Sequence, residues 1–121
     1  MSTRGRPGPM VPFTAGATVV GQRIVGHGTS DHQVVYPTDS TEACFGVTDR
    51  PAKRGQPVDV CVYGVVAVEY GGNVTRGDLL TSDGEGKAVT VSATGHRVIG
   101  VALATGVDGD IGRMIITQGI V

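Results

Sequence analysis

Two parts of the sequence repeat the same spacing of apolar residues and glycines. Phe45-Gly46-Val47 is followed, nine residues after its glycine, by Gly55 and then by an alternating apolar segment. Ile99-Gly100-Val101 is followed at the same distance by Gly109 and another apolar segment. A repeat this small cannot bury its own apolar face, so the copies must pack against each other. The repeat therefore predicts one domain built from two similar halves. The predicted copies span roughly residues 19–64 and 65–121, with 33–39 of the first opposite 78–83 of the second.

The residues within these copies favour strands. The chain has 20 valines and 13 threonines but only 3 leucines, and branching at Cβ suits the pleated surface of a sheet. Its 20 glycines fit many tight turns. The fold class is therefore predicted to be all-β, as a compact sandwich or barrel. The predicted strands span 18–25, 58–63, 65–70, 87–91, 98–103 and 111–117, with a bend at Gly64 and one helical turn at 40–44.

The N-terminal segment differs from the rest of the chain. Residues 1–12 contain three prolines and two glycines and have no apolar periodicity. Such a segment cannot offset its own ordering entropy by burial. We predict an extended N-terminal arm over residues 1–12 and a single β-domain over residues 13–121.

Composition limits the partners and the cellular compartment. The net charge of −1 gives no global field that would attract nucleic acid or an anionic membrane. No apolar run is long enough to span a bilayer, and the N-terminus has no apolar stretch typical of a signal peptide. Cys44 and Cys61 are too few for a disulfide scaffold and are predicted to be reduced, half-buried thiols in a protein made in a cytosol.

The residues that could carry chemistry do not form a recognisable site. His27, Asp31 and His32 have donor atoms for a metal, but they lie in a Gly/Ser-rich segment without a second pair of ligands. A GxSxG nucleophile elbow is also missing. We predict no catalytic, cofactor-binding or metal-binding residue, and hence no enzyme.

One alternative involves Lys87. The segment Gly77–Leu80, followed by Lys87-Ala88, resembles the hairpin of lipoyl and biotinyl carrier domains, which are also small duplicated β-domains. In those domains a lysine at a tight turn is acylated by the cofactor. Gly86 departs from that pattern, because carriers have an acidic residue or methionine before the lysine. The competing interpretation of Lys87 is a solvated charge on a hairpin.

A wider resemblance covers most of the chain from about Phe13 to Ile116. It rests on the joint order of short turn-and-strand segments: Phe45–Asp49, Gly64–Glu69, Gly71–Leu80, Ser82–Ala88, Val98–Leu103 and Gly109-Asp110. In this order the segments resemble the capsid cement, or head decoration, proteins of tailed bacteriophages. The resemblance implies a compact β-barrel or β-tulip and a structural rather than catalytic role.

The same resemblance implies the partners. Proteins of this family are expected on the outer capsid surface of the virion, after synthesis in the host cytoplasm, with no direct contact to nucleic acid or membrane. A homotrimer would bind the mature head and stabilise the shell by bridging subunits of the major capsid protein. A trimeric fibre or tail knob is a second structural possibility.

The arm is the candidate capsid-binding element. Its basic side chains suit an acidic shell surface, and its apolar side chains suit anchoring through a strand added to a neighbouring sheet edge. The predicted capsid-binding residues are Arg4, Arg6, Met10, Val11 and Phe13. The other aromatic residues at repeat positions, Phe45 and Tyr63, are expected in the core or on a sheet face.

Overall fold

The structure is a computed structural model that describes the backbone of residues 10–120 and the side chains of residues 10–117. This region contains strands and no helix, which confirms the all-β prediction. The strands are β1 (Met10–Ala15), β2 (Ile24–His27), β3 (Gln33–Val35), β4 (Gly46–Thr48), β5 (Pro57–Cys61), β6 (Gly64–Glu69), β7 (Leu79–Ser82), β8 (Ala88–Thr90), β9 (Arg97–Ala102) and β10 (Ile111–Ile120).

The first five strands form a closed barrel in the order β1-β3-β2-β4-β5. Closure occurs at β1, which pairs antiparallel with β5 and parallel with β3. The alternation predicted for β5 is observed, since Val58 and Val60 are buried and Asp59 between them is exposed. Buried residues of β1, β2, β3 and β5 and of two loops fill the interior: Ala15, Val19, Val25, Val34, Ala52, Val58 and Val60.

The last five strands follow the same order, with a sheet arranged β6-β10-β9-β7-β8. A parallel bridge between Tyr70 and Ala88 links the two ends of this sheet as β1–β3 pairing does in the barrel. Tyr70 is fully buried, and its hydroxyl donates a hydrogen bond of 2.6 Å to the Ala104 carbonyl oxygen. Gly112 faces this ring, because a Cβ at that position would collide with the Tyr70 phenol.

Strand registers recur between the halves. Val47 pairs with Cys61 in the first half and Val101 with Ile115 in the second. The same holds for the other strand pairs, including β2–β4 and β7–β9. We infer that the halves are copies of one five-stranded unit, and we define unit 1 as residues 10–62 and unit 2 as residues 64–120.

β1 belongs to unit 1 in the way that β6 belongs to unit 2, so the first copy begins before residue 19. Residues 10–12 of the predicted arm are the first half of β1. Its Pro12 is tolerated because β1 has only β5 as a neighbour there; pairing with β3 begins at Thr14. The predicted alignment of 33–39 with 78–83 is wrong, because β7 lies between β9 and β8 as β2 lies between β4 and β3.

Two local predictions are also wrong. Residues 18–23 are not a strand: Val19 forms an isolated bridge with Ala52, and Gln22 has a φ of 57° that interrupts extended backbone. Residues 40–44 are a turn rather than a helix. The Asp39 carboxylate accepts a hydrogen bond of 2.8 Å from the Thr41 N–H there, which is the side-chain capping that favours turns.

Tyr63 lies between unit 1 and unit 2, and Gly64 begins β6. Gly64 has a φ of 90°, a conformation that glycine adopts at little cost. The predicted bend at this residue is confirmed, and it lies where the chain passes from β5 into β6.

Candidate functional site

A polar cluster joins unit 1 to unit 2. The guanidinium of Arg23 lies 3.2 Å from a carboxylate oxygen of Glu69, and the other oxygen is 3.7 Å from the Lys87 ammonium. Arg23 also donates a hydrogen bond of 2.9 Å to the Glu85 carbonyl oxygen and lies over the Tyr36 ring. The side chains of Arg23, Glu69 and Lys87 are each at most 22% exposed. We call Arg23, Glu69 and Lys87 the junction cluster, which sequence reasoning missed because its members are far apart in the chain.

An apolar contact between the units lies beside this cluster. Ile24, Val47 and Cys61 occupy neighbouring strands of unit 1 at one register. They alternate with residues that fill the unit 1 barrel, so they face outward from it. They are nevertheless completely buried, because they join the hydrophobic cluster of unit 2. Burial raises the pKa of the neighbouring Cys44 thiol to about 11.

The predicted capsid-binding residues of the arm differ in their burial. Arg4 and Arg6 lie outside the described residues. Met10 is half-buried against the cluster that joins the units, and Phe13 is half-buried with its ring 5.2 Å from that of Phe45. Val11 is 37% exposed.

The backbone of this segment is already paired within the chain. Met10–Thr14 pairs with β5, and Thr14 and Ala15 pair with β3. Within the described residues, β1 therefore uses one edge for β5 along residues 10–14 and its other edge for β3 only at Thr14 and Ala15. The addition of the arm as a strand to a neighbouring sheet edge stays a prediction.

Lys87 is not the accessible hairpin lysine that a carrier domain needs. Its ammonium lies within 4.0 Å of carboxylates of Glu69, Glu85 and Asp108, and its side chain is 22% exposed. The turn of the hairpin is formed by the residues before it, where Asp83 accepts hydrogen bonds from the Glu85 and Lys87 N–H groups. This environment favours a structural ion pair.

The other candidate residues are separated as well. Among the residues that the structure describes, no group of three or more His, Cys, Asp and Glu side chains could hold a metal ion. His27 packs its ring 4.9 Å from that of Phe45. Cys44 and Cys61 are buried thiols. An open groove lined by Asp49, Arg50, Pro51, Pro57, Val58 and Asp59 lies at the surface of unit 1.

Apolar side chains are unusually exposed on unit 2. Leu79 and Ile115 are 43% and 41% exposed, and both pair with Val101 on the central strand β9. Ile115 also pairs with Val65 of β6. These four residues form one apolar row across the outer face of the sheet. Tyr63, expected in the core or on a sheet face, is 61% exposed beside the connection between units.

Within residues 10–120, the structure contains no apolar helix of the length needed to cross a membrane.

Comparison with known proteins agrees with this architecture. The crystal structure of the head fiber gp8.5 N base in bacteriophage phi29 superposes with a TM-score of 0.74 and 22% sequence identity, covering 90% of this chain and 95% of that one. At this identity the likeness establishes the fold. No curated protein matches the sequence. The sequence itself matches the phage cement protein family over residues 5–116, a range that includes all of unit 1 and all but the last four residues of unit 2. The chain therefore belongs to the phage cement protein family.

Proposed function

We propose that this protein is a capsid decoration protein that binds the outer surface of the mature phage head as a homotrimer, bridges major capsid protein subunits and has no catalytic activity. The observation that carries this proposal is the family match over residues 5–116. As a member of that family the chain is a structural protein of the virion surface. To this role the proposal adds the major capsid protein as partner, the homotrimer and the bridging of capsid subunits.

The physical reason for a trimer is avidity. Once one subunit of a trimer binds the shell, the other two bind at a high effective concentration, so modest contacts combine into slow release. A preference for the mature head requires that these contacts have a higher affinity for the mature shell than for its precursor. Trimer contacts that span adjacent capsomers would then oppose expansion of the filled head.

We further propose that the N-terminal arm makes the shell contact. Arg4 and Arg6 supply positive charge, and Met10, Val11 and Phe13 hold the root of the arm on the domain. This division of roles is supported by the half-buried positions of Met10 and Phe13. The two positive charges of Arg4 and Arg6 suit an acidic shell surface.

The arm can be tested without disturbing β1. A variant lacking residues 1–9 and the double variant Arg4→Glu/Arg6→Glu are each mixed with heads that lack the protein, and bound protein is measured by co-sedimentation. Both changes should reduce occupancy at least tenfold at 0.1 M salt or below, because electrostatic attraction is least screened there. The control is Arg50→Glu/Arg54→Glu, which reverses two exposed charges outside the arm.

Unchanged occupancy for both arm variants would contradict the arm proposal. Failure of the wild-type protein to bind heads at all would contradict the proposed function. Deleting residues 1–12 is not equivalent, because it removes part of β1 and should lower stability as well as binding.

A second candidate is the base of a head fibre. The observation that favours it is the similarity to the head fiber gp8.5 N base over 95% of that chain. Electron cryomicroscopy of decorated heads distinguishes the two: a cement protein occupies the threefold and quasi-threefold positions throughout the shell, whereas a fibre base carries further density projecting from it.

A further inference from the structure

The contact between unit 1 and unit 2 buries one face of each unit. The buried face of unit 1 is the outward row on β1, β2, β4 and β5, where Ile24, Val47 and Cys61 are fully buried. These three residues pack in one hydrophobic cluster with residues of unit 2 that include Val66 and Ile116, which are 7% and 8% exposed. Because the units share strand order and register, each of these faces has a counterpart on the other unit.

The counterpart of the buried row on unit 2 is only partly covered: Leu79 and Ile115 are 43% and 41% exposed, and Val65 and Val101 are half-buried. Equivalent strand pairs place Leu79 where unit 1 has Ile24, Val101 where it has Val47, and Ile115 where it has Cys61. We call this row the trailing face; it consists of Val65, Leu79, Val101 and Ile115. Its residues are apolar although Arg113 and Thr117, on the same side of β10, are polar and exposed.

The counterpart of the covered unit 2 face lies on unit 1. Val11 pairs with Val60 in unit 1, and Val66 pairs with Met114 in unit 2. Val60 and Met114 are equivalent buried residues on the last strands of their units, so Val11 and Val66 occupy equivalent positions. Val11 is 37% exposed whereas Val66 is 7% exposed. We call this surface the leading face; it consists of Val11, Phe13, Phe45 and Val62, of which the last three are half-buried.

We propose that the trailing face of one copy binds the leading face of a second copy, in the way that unit 1 binds unit 2 within the chain. This inference rests on the proposed function in that it identifies the surfaces through which the proposed homotrimer assembles. The occupant is a second copy because the chain already contains the complementary surface for each face. A contact between different faces is heterologous, and it closes into a ring when the rotation between copies permits. In a closed trimer every unit would meet its neighbours through the same pair of faces.

The chemistry of the two faces supports this assignment. Both consist of exposed and half-buried apolar side chains, and contiguous apolar surface of this kind marks an association surface. The ion pair of the junction cluster has no counterpart at the contact between copies. Asp78 occupies in unit 2 the position that Arg23 has in unit 1, and Thr14 occupies in unit 1 the position that Glu69 has in unit 2. The contact between copies would therefore depend on apolar burial and be less sensitive to salt than the contact within the chain.

The test uses variants that block one face each. Val11→Glu blocks the leading face, and Leu79→Glu/Ile115→Glu blocks the trailing face. The control is Val107→Glu, at a residue that is 54% exposed and outside both faces. Mass in solution is measured by sedimentation equilibrium and native mass spectrometry without heads, and denaturant midpoints verify folding. Val11→Ser and Leu79→Ser/Ile115→Ser replace any glutamate variant that fails to fold.

The wild-type protein and Val107→Glu should have three times the 12.4 kDa chain mass. Each face variant alone should be monomeric. An equimolar mixture of the two face variants should form a dimer with one copy of each, because one retains the trailing face and the other the leading face. A mixture that stays monomeric up to tenfold above the concentration at which wild type is trimeric overturns the proposal, as does a trimeric face variant.

Monomeric wild-type protein at all concentrations overturns the proposal too. Head binding is measured separately, so the failure of head binding and the failure of the association surfaces can be told apart. A trimer that does not bind heads contradicts the proposed head binding and leaves the association surfaces standing. A monomer that binds heads contradicts the association surfaces and the homotrimer, and leaves the decoration role standing.

Discussion

At the scale of single residues, the ion pairs of the junction cluster should contribute more to stability than an exposed ion pair does. Glu69→Gln should lower the free energy of unfolding by about 1–3 kcal/mol, because Arg23 and Lys87 lose a charged partner in a half-buried site. Asp49→Asn removes the exposed Asp49–Arg50 pair and should change stability by less than about 0.5 kcal/mol. Urea denaturation of the two variants measures the difference. Equal effects would contradict the role assigned to the cluster.

Cys44 gives a prediction about pH. Burial raises the pKa of its thiol from 9.0 to about 11 in the folded protein, so the native state retains a proton that the unfolded chain loses. The protonated thiol contributes fully to the free energy of unfolding below pH 9, and this contribution is lost as pH rises from about 9 to about 11. The free energy of unfolding should therefore fall more steeply over this range in wild type than in Cys44→Ala. Parallel curves for the two proteins would show that the thiol ionises freely in the fold.

At the scale of strands, two glycines permit close pairing at equivalent positions in the units. A Cβ on Gly46 would lie 2.6 Å from the Cys61 carbonyl oxygen, and one on Gly100 would lie 2.6 Å from Cγ of Met114. Gly46→Ala and Gly100→Ala should each lower stability by about 1–3 kcal/mol through overpacking. Gly72→Ala is the control, since nothing lies within 4 Å of its Cβ position. Thermal unfolding of the three variants would refute this account if Gly72→Ala were the most destabilised.

At the scale of the whole molecule, the units should unfold together. Ile24 belongs to unit 1 but is buried in the cluster of unit 2, so Ile24→Ala should lower the stability of both units by about 2–5 kcal/mol. Hydrogen exchange should show equal loss of protection in β4–β5 and in β9–β10. The control is Val20→Ala, at a residue that is 41% exposed, and it should leave the protection of both strand pairs unchanged. Loss confined to unit 1 would mean that the units are separate folding domains.

The sequence by itself determined the fold class, the family and several strand positions. The alternation of Val58, Asp59 and Val60 is a local property of strand geometry, so it could be recognised from spacing alone. The same is true of the bend at Gly64. The resemblance to cement proteins succeeded because the order of many weak segments is more specific than any one of them.

Only the tertiary structure decided which apolar residues are buried and which are exposed. Ile24 and Leu79 occupy equivalent positions and have similar chemistry, but Ile24 is fully buried and Leu79 is 43% exposed. The difference arises because unit 2 covers one of them, and packing between distant segments leaves no local signal. Likewise Arg23 and Glu69 are distant in sequence and meet only at the junction. Local spacing fixes which side of a strand a residue faces, whereas the arrangement of units fixes what that side meets.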